Sequence, residues 1–214
     1  MESTKTSAEK GLADFVSKQK KIKEPAILSF FRFDDEPEFV FSKSLQKVTK
    51  KELKLEPRGT TALFDAIGTA IDQTEDRLSN SKDKKRFINL KPKAEEQIKV
   101  IFIIVTDGGE NASQKYTRDQ IFNKIKSLRK KGWDFTFIGA NQDAIQSGKQ
   151  LGISAGQSLS YKASAIGTVG TYMALTSAVS DSRLTGQSLS YTPDHRAMAM
   201  GNIEPKEKGK AAKA

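Results

Sequence analysis

The sequence predicts an α/β fold, a mostly parallel central sheet with helices on both faces. Two observations carry this. Apolar runs at 26–33 ("AILSFFRF"), 98–106 ("IKVIFIIVT") and 133–140 ("WDFTFIGA") alternate with segments of helical spacing. That order lays parallel strands side by side through crossover helices. The middle run is apolar on both faces, as a strand covered by helices on either side must be.

Taken in order, Leu12, Phe15 and Val16 share one face of a helix predicted over 7–21, with lysines opposite. The strand at 26–33 is followed, after the acidic turn "DDEPE", by a second at 39–42. Leu63, Ala66, Ile67, Ala70 and Ile71 recur at i, i+3, i+4 and mark a helix after a Gly/Thr loop. Residues 79–97 are polar and basic and read as an exposed insertion. Thr117 and Gln120 form a capping box for a helix carrying Ile121, Ile125 and Leu128, which ends in lysines and Gly132. Trp133, just after it, reads as a packing residue. A short helix in "QDAIQSGKQLG" and a small-residue helix across 164–179 complete a domain drawn as 1–183. Residues 184–214 read as a polar, basic tail, with the single histidine, His195, solvated in it. The hexapeptide "GQSLSY" occurs at 156–161 and 186–191 with unlike flanks, so it is no solenoid repeat; strands or extended loops suit both copies.

The chain has 214 residues, 36% hydrophobic and 29% charged, enough for one domain with a proper core. No apolar run approaches the roughly 20 residues of a membrane-spanning helix, and "MESTKTSAEKG" lacks the apolar centre of a secretory signal. With no cysteine, disulfides and thiolate metal sites are excluded. A cytoplasmic protein, or a component of a virion or other large assembly, is expected. The net charge of +10 suggests acidic partners. The lysines, however, are dispersed over 18–23, 47–54, 82–93, 124–131 and the tail, as on a solvated surface.

Two segments bring oxygen donors to the carboxyl ends of predicted strands, where open α/β sheets bind ligands. "RGTTALFDAIG" (58–68) is a Gly-x-Thr loop ahead of a helix, and "IIVTDGGENAS" (103–113) runs a strand into Asp107, Gly108 and Gly109. Asp107 is either the cap of its own turn or one limb of a metal site. Thr61 is placed both to cap the following helix and to offer a hydroxyl. Asp65 reads as support for the helix start or a neighbouring loop.

Together with "FRFDDEPEFVF", "YTRDQIFNKIKSLRKKGWDFTFIGANQDAI" and the last helix, these segments resemble the von Willebrand factor A (VWA) family from about Gly11 to Val179. The resemblance is to compact bacterial or phage-type members. It implies a Rossmann-like fold and a metal-ion-dependent adhesion site in which Thr61 matches the family's threonine and Asp107 its aspartate, with Ser3 standing in for a serine. The implied cofactor is Mg²⁺ or Mn²⁺, weakly held, since hard cations take oxygen ligands in near-octahedral geometry. Gly108, Gly109 and Glu110 would then meet the partner.

The sequence departs from the family at the third limb. The family's first strand ends in Asp-x-Ser-x-Ser; here Met1 falls at the aspartate and Lys5 at the second serine, and an ammonium repels a divalent cation. That strand would lie between those at 26–33 and 98–106. Three explanations stand: a start further upstream, a strand supplied by another chain or the C-terminal tail, or direct closure of the flanking strands.

No Asp-x-Asp ends a strand, no P-loop or Gly-x-Gly-x-x-Gly is present, and the single histidine is remote from every candidate serine in the pattern. The expectation is a non-enzymatic binding module for protein–protein interaction or assembly, its partner another protein or a second copy, with no membrane. The alternatives are a basic nucleic-acid-associated protein, which the net charge motivates without naming residues, and a metal-free structural subunit of a larger, possibly phage, particle.

Overall fold

The computed structural model describes residues 2–56, 59–80, 98–140 and 143–203. Most of the expected insertion and the end of the expected tail lie outside them. The chain runs α1 (Glu2–Gln19), β1 (Ile27–Phe33), β2 (Pro37–Ser44), α2 (Leu63–Ser79), β3 (Ile101–Thr106), α3 (Arg118–Lys130), β4 (Asp134–Ala140), α4 (Ala144–Gln150), β5 (Ser158–Tyr161), α5 (Ala165–Thr185) and α6 (Pro193–Ala199). Helix α1 begins earlier than its apolar pattern suggests. The capping box of α3 forms as the sequence predicts: Thr117 Oγ1 accepts the Gln120 N–H, and Gln120 Oε1 accepts the Thr117 N–H. Gly132 follows α3 with φ +87°, and Gly186 ends α5 at φ +74°, conformations that favour glycine.

Strands β3, β4 and β5 form a parallel sheet in that order, while β1 and β2 pair antiparallel with a bulge between Phe30 and Phe31. Among the described residues β1 and β3 are not hydrogen-bonded to each other, so the flanking strands have not closed together. The two parts nevertheless feed the same two cores. On one face Phe15 and Val16 of α1 and Leu175 and Val179 of α5 bury Ile138 and Leu159, joined by Leu28, Phe41 and Ile103. On the other, Ile67 and Ile71 of α2 and Ile121 and Ile125 of α3 cover Phe135 and Phe137, joined by Phe33, Phe102 and the buried Trp133. Each such side chain contributes about 1.5–3 kcal/mol when fully buried. Helices α1 and α5 meet closely at Gly11, where any Cβ would run into the Tyr172 ring.

The segment expected as a tail from 184 is instead anchored in the core at Leu189, Tyr191 and Ala199, with 200–203 exposed. Leu189 and Tyr191, the second copy's counterparts of Leu159 and Tyr161, are 1% and 5% exposed. The Tyr191 hydroxyl shares a hydrogen bond with Thr136 Oγ1 (2.9 Å), and its N–H donates to the Gly156 carbonyl (2.8 Å). The two hexapeptides thus lie side by side, one as β5 and the other as an extended loop. Both also serve the buried Asp134 at the amino end of β4, which takes the Gln157 amide (3.1 Å) and the Leu189 N–H (3.3 Å). His195 is half-buried rather than solvated. Its Nδ1 accepts the Thr192 N–H (3.3 Å) in the capping box of α6, a place usually held by Glu or Gln. Burial holds its imidazole below the ordinary value, against Asp181 and Asp194.

Candidate binding site at the carboxyl ends of the strands

The loop after β3 is held by two carboxylates, neither of them Asp107. Asp65, in the first turn of α2 and 4% exposed, accepts the N–H groups of Gln114 (2.8 Å), Lys115 (2.9 Å) and Tyr116 (2.8 Å). Glu110 turns inward. Its Oε1 accepts from the Ala112 and Ser113 N–H groups (2.9 and 2.8 Å), and its Oε2 from the Ser113 hydroxyl (2.7 Å) and the Phe64 N–H (2.9 Å). Ser113 Oγ accepts from Phe64 and Asp65 N–H in turn (3.0 and 3.1 Å). These are the donors a helix N-terminus leaves unsatisfied, and the N-cap residue of α2, Ala62, makes no side-chain cap bond. The β3 loop therefore caps α2. Burial pushes both carboxyls up, but the converging donors outweigh it, and Asp65 and Glu110 both sit below their ordinary values.

Thr61 is thereby released from capping. Its N–H donates to Asn111 Oδ1 (2.9 Å), its carbonyl accepts the Asn111 N–H (3.1 Å), and the Ala62 N–H donates to the Asp34 carbonyl (2.5 Å). The loop is tied on one side to β3 and on the other to β1. Its hydroxyl faces Gly108 so closely that a Cβ there would lie 2.7 Å from Thr61 Oγ1. Glycine at 108 is required by this approach rather than by a left-handed turn, since neither Gly108 nor Gly109 has positive φ. The turn itself is closed by Thr106, whose Oγ1 accepts the Gly108 N–H (3.2 Å) and donates to the Gly108 carbonyl (2.8 Å).

Asp107 is thus not the cap of its own turn. It is exposed, and none of the described hydrogen bonds uses its carboxylate or the Thr61 hydroxyl. Tyr161, ending β5, feels the same charge: burial first, and Asp107 second, push its hydroxyl up to about 12. Thr61 Oγ1 lies against Gly108, the residue after Asp107, while Gly109 is exposed and Glu110 is committed to the loop. Ser3 falls in the first turn of α1, with its side chain outside the described residues. Among the described residues no group of three or more His, Cys, Asp or Glu side chains is placed to hold a metal. A second acidic surface lies at the β1–β2 hairpin, where Arg32 pairs with Glu38 and Glu56 (2.7 Å each) beside Asp34, Asp35 and Glu36.

No protein-family model and no curated protein matches the sequence. Among solved structures, one of proximal thread matrix protein 1 from the mussel byssus, crystal form 2, matches 80% of this chain at 15% identity with a TM-score of 0.53. A second structure of that protein matches 79% at 14% identity with a TM-score of 0.51. The fold is of the VWA type. This chain spans about two-fifths of the mussel protein, 39% and 40% in the two structures. A third structure, described with a zinc-occupied MIDAS motif, matches 75% at 16% identity and a TM-score of 0.49. Among the described residues no helix is long and apolar enough to cross a membrane.

Proposed function

We propose that this chain is a non-enzymatic protein-interaction module whose working pole is formed by Thr61, Asp107 and Gly108. One observation carries the reading. Asp65, Thr106, Glu110, Asn111 and Ser113 are all spent on holding two loops together, whereas none of the described hydrogen bonds uses the Thr61 hydroxyl, which lies against Gly108, or the carboxylate of the neighbouring Asp107. The role of the pole is recognition of another protein.

Both donors are hard oxygens, which fits Mg²⁺ or Mn²⁺. Two protein ligands leave most of the shell to water, so binding of about 1 mM or weaker is expected, on the order of 4 kcal/mol. When bound, such a cation would supply a bridge to a carboxylate of the partner. Affinity capture followed by crosslinking tests the reading, with the wild-type chain compared against Thr61→Ala, Asp107→Ala and Lys130→Ala. A direct partner should be lost with either pole variant and kept with Lys130→Ala, at the far end of α3. A partner indifferent to both pole variants would place the working face elsewhere.

A further inference from the structure

We propose that His195 is a proton-operated catch for the C-terminal segment: neutral, it holds α6 on the body of the domain, and protonated, it lets α6 go. The capping box of α6 supplies the device. Thr192 Oγ1 accepts the His195 N–H (3.2 Å), and His195 Nδ1 accepts the Thr192 N–H (3.3 Å). A Glu or Gln in this place keeps its acceptor oxygen throughout the neutral range. An imidazole nitrogen accepts only while it lacks a proton. Once protonated, Nδ1 is a donor facing a donor, and the Thr192 N–H loses its partner. The chain has one histidine and no cysteine, so His195 is the one side chain that ordinarily titrates between about pH 5 and 8.

The surroundings set the direction of the switch. Asp181 acts on the ring from α5, and Asp194 and Arg196 share α6 with it. The Tyr191 ring meets it edge-on from the preceding loop, with centroids 6.2 Å apart. Burial opposes the imidazolium and the two carboxylates favour it, and burial is the larger effect. The folded chain therefore prefers the neutral ring. Its folded value lies below the unfolded 6.5, so the catch is closed above that pH and opens as pH falls through the lower folded value.

What the catch holds is a short helix with several backbone attachments. α6 has seven residues, too few to persist as a helix without its cap and its contacts. Arg196 donates to the Ser158 and Ala155 carbonyls (2.8 Å each), and the Ala199 carbonyl accepts the Lys162 N–H (3.1 Å). The Met198 carbonyl lies so close to Gly170 of α5 that no Cβ would fit there. Unwinding α6 breaks these attachments together. It uncovers backbone carbonyls at the edge strand β5 and the glycine face of α5. Leu189 and Tyr191, ahead of the cap, stay anchored in the core, so the opening is confined to 192–203. The catch does not depend on the Thr61–Asp107 pole, and each reading can fail without the other.

The test is amide hydrogen exchange of the labelled full chain at about pH 7.5 and about pH 5, each rate divided into the intrinsic rate at that pH, with the His195 ring titrated by NMR. Protection at Lys162, Arg196, Met200 and Asn202, whose N–H groups are bonded within or to α6, should fall by about fivefold to tenfold in acid, the loss expected of a missing cap. Phe135 and Phe137 in β4 should not change. His195→Gln, which supplies the usual acceptor without the proton, should keep the α6 amides protected at both pH values. His195→Ala should leave them weakly protected at both. The proposal is overturned if wild-type protection is the same at the two pH values, or if His195→Gln loses protection in acid as wild type does. It is also overturned if His195→Ala is as protected as wild type near neutral pH, or if the ring titrates at or above about 6.5.

Discussion

Replacing Asp65 with Asn keeps the side chain's shape and removes its charge, so it isolates what the carboxylate does for the candidate site. Oδ1 accepts from Tyr116 and Lys115, and Oδ2 from Gln114 and more weakly from Lys115. An asparagine oriented with its oxygen at Oδ1 keeps two neutral hydrogen bonds and turns an NH₂ toward the Gln114 N–H. Bonds to a charged acceptor contribute about 1.5–3 kcal/mol each, so losing one, weakening two and opposing two donors sums to about 3 kcal/mol. In a domain of this size that lowers Tm by roughly 6–12 °C. Trp133, the single tryptophan, is buried in the core that α2 covers, and its fluorescence through a urea titration reports the change. The pH dependence carries the same signature. Asp65 is held below its ordinary value, so its contribution is complete above about 3.8 and is lost as pH falls through the lower folded value. Asp65→Asn should therefore be less stable at neutral pH and flatter than wild type in acid. A loss under about 1 kcal/mol, with the acid limb unchanged, would show that the loop is not held by Asp65.

Gly108→Ala should cost about 1–3 kcal/mol through overpacking against Thr61 Oγ1, and most of that should vanish in a Thr61→Ala background, where the oxygen is gone; additive losses in the double-mutant cycle would refute the contact. Tyr191→Phe, which removes the buried bond to Thr136, should destabilise by about 1–2 kcal/mol in the same urea titration, whereas a flexible tail at 191 would give no change.

Much of the fold could be read from local signals. The capping box of α3, the apolar face of α2 and the doubly apolar run at 101–106 depend on residues within a few positions of one another, and periodicity reports such relations directly. The positions of Thr61 and Asp107, just before α2 and just after β3, were legible for a related reason. The roles of Glu110, Asn111 and Ser113 were not. They cap or pin groups 46 to 50 positions away, and a polar loop residue carries no mark of which distant N–H it meets. The packed segment after α5 was missed because its polar composition outweighed two anchors, Leu189 and Tyr191, whose partners lie across the fold. His195 was misjudged because a histidine in the last place of a capping box does not resemble the usual Glu or Gln.

We propose that the part-buried Thr61 hydroxyl and the exposed Asp107 carboxylate are oxygen donors left unspent by the loops that brace them. Paramagnetic broadening by Mn²⁺, followed amide by amide on the isotopically labelled chain, tests it most directly. Selective loss of signal is expected at Thr61, Gly108 and Gly109 with a midpoint of about 1 mM or weaker, abolished by Asp107→Ala. Broadening centred instead on the acidic hairpin at 34–38, or unchanged in Asp107→Ala, would contradict it.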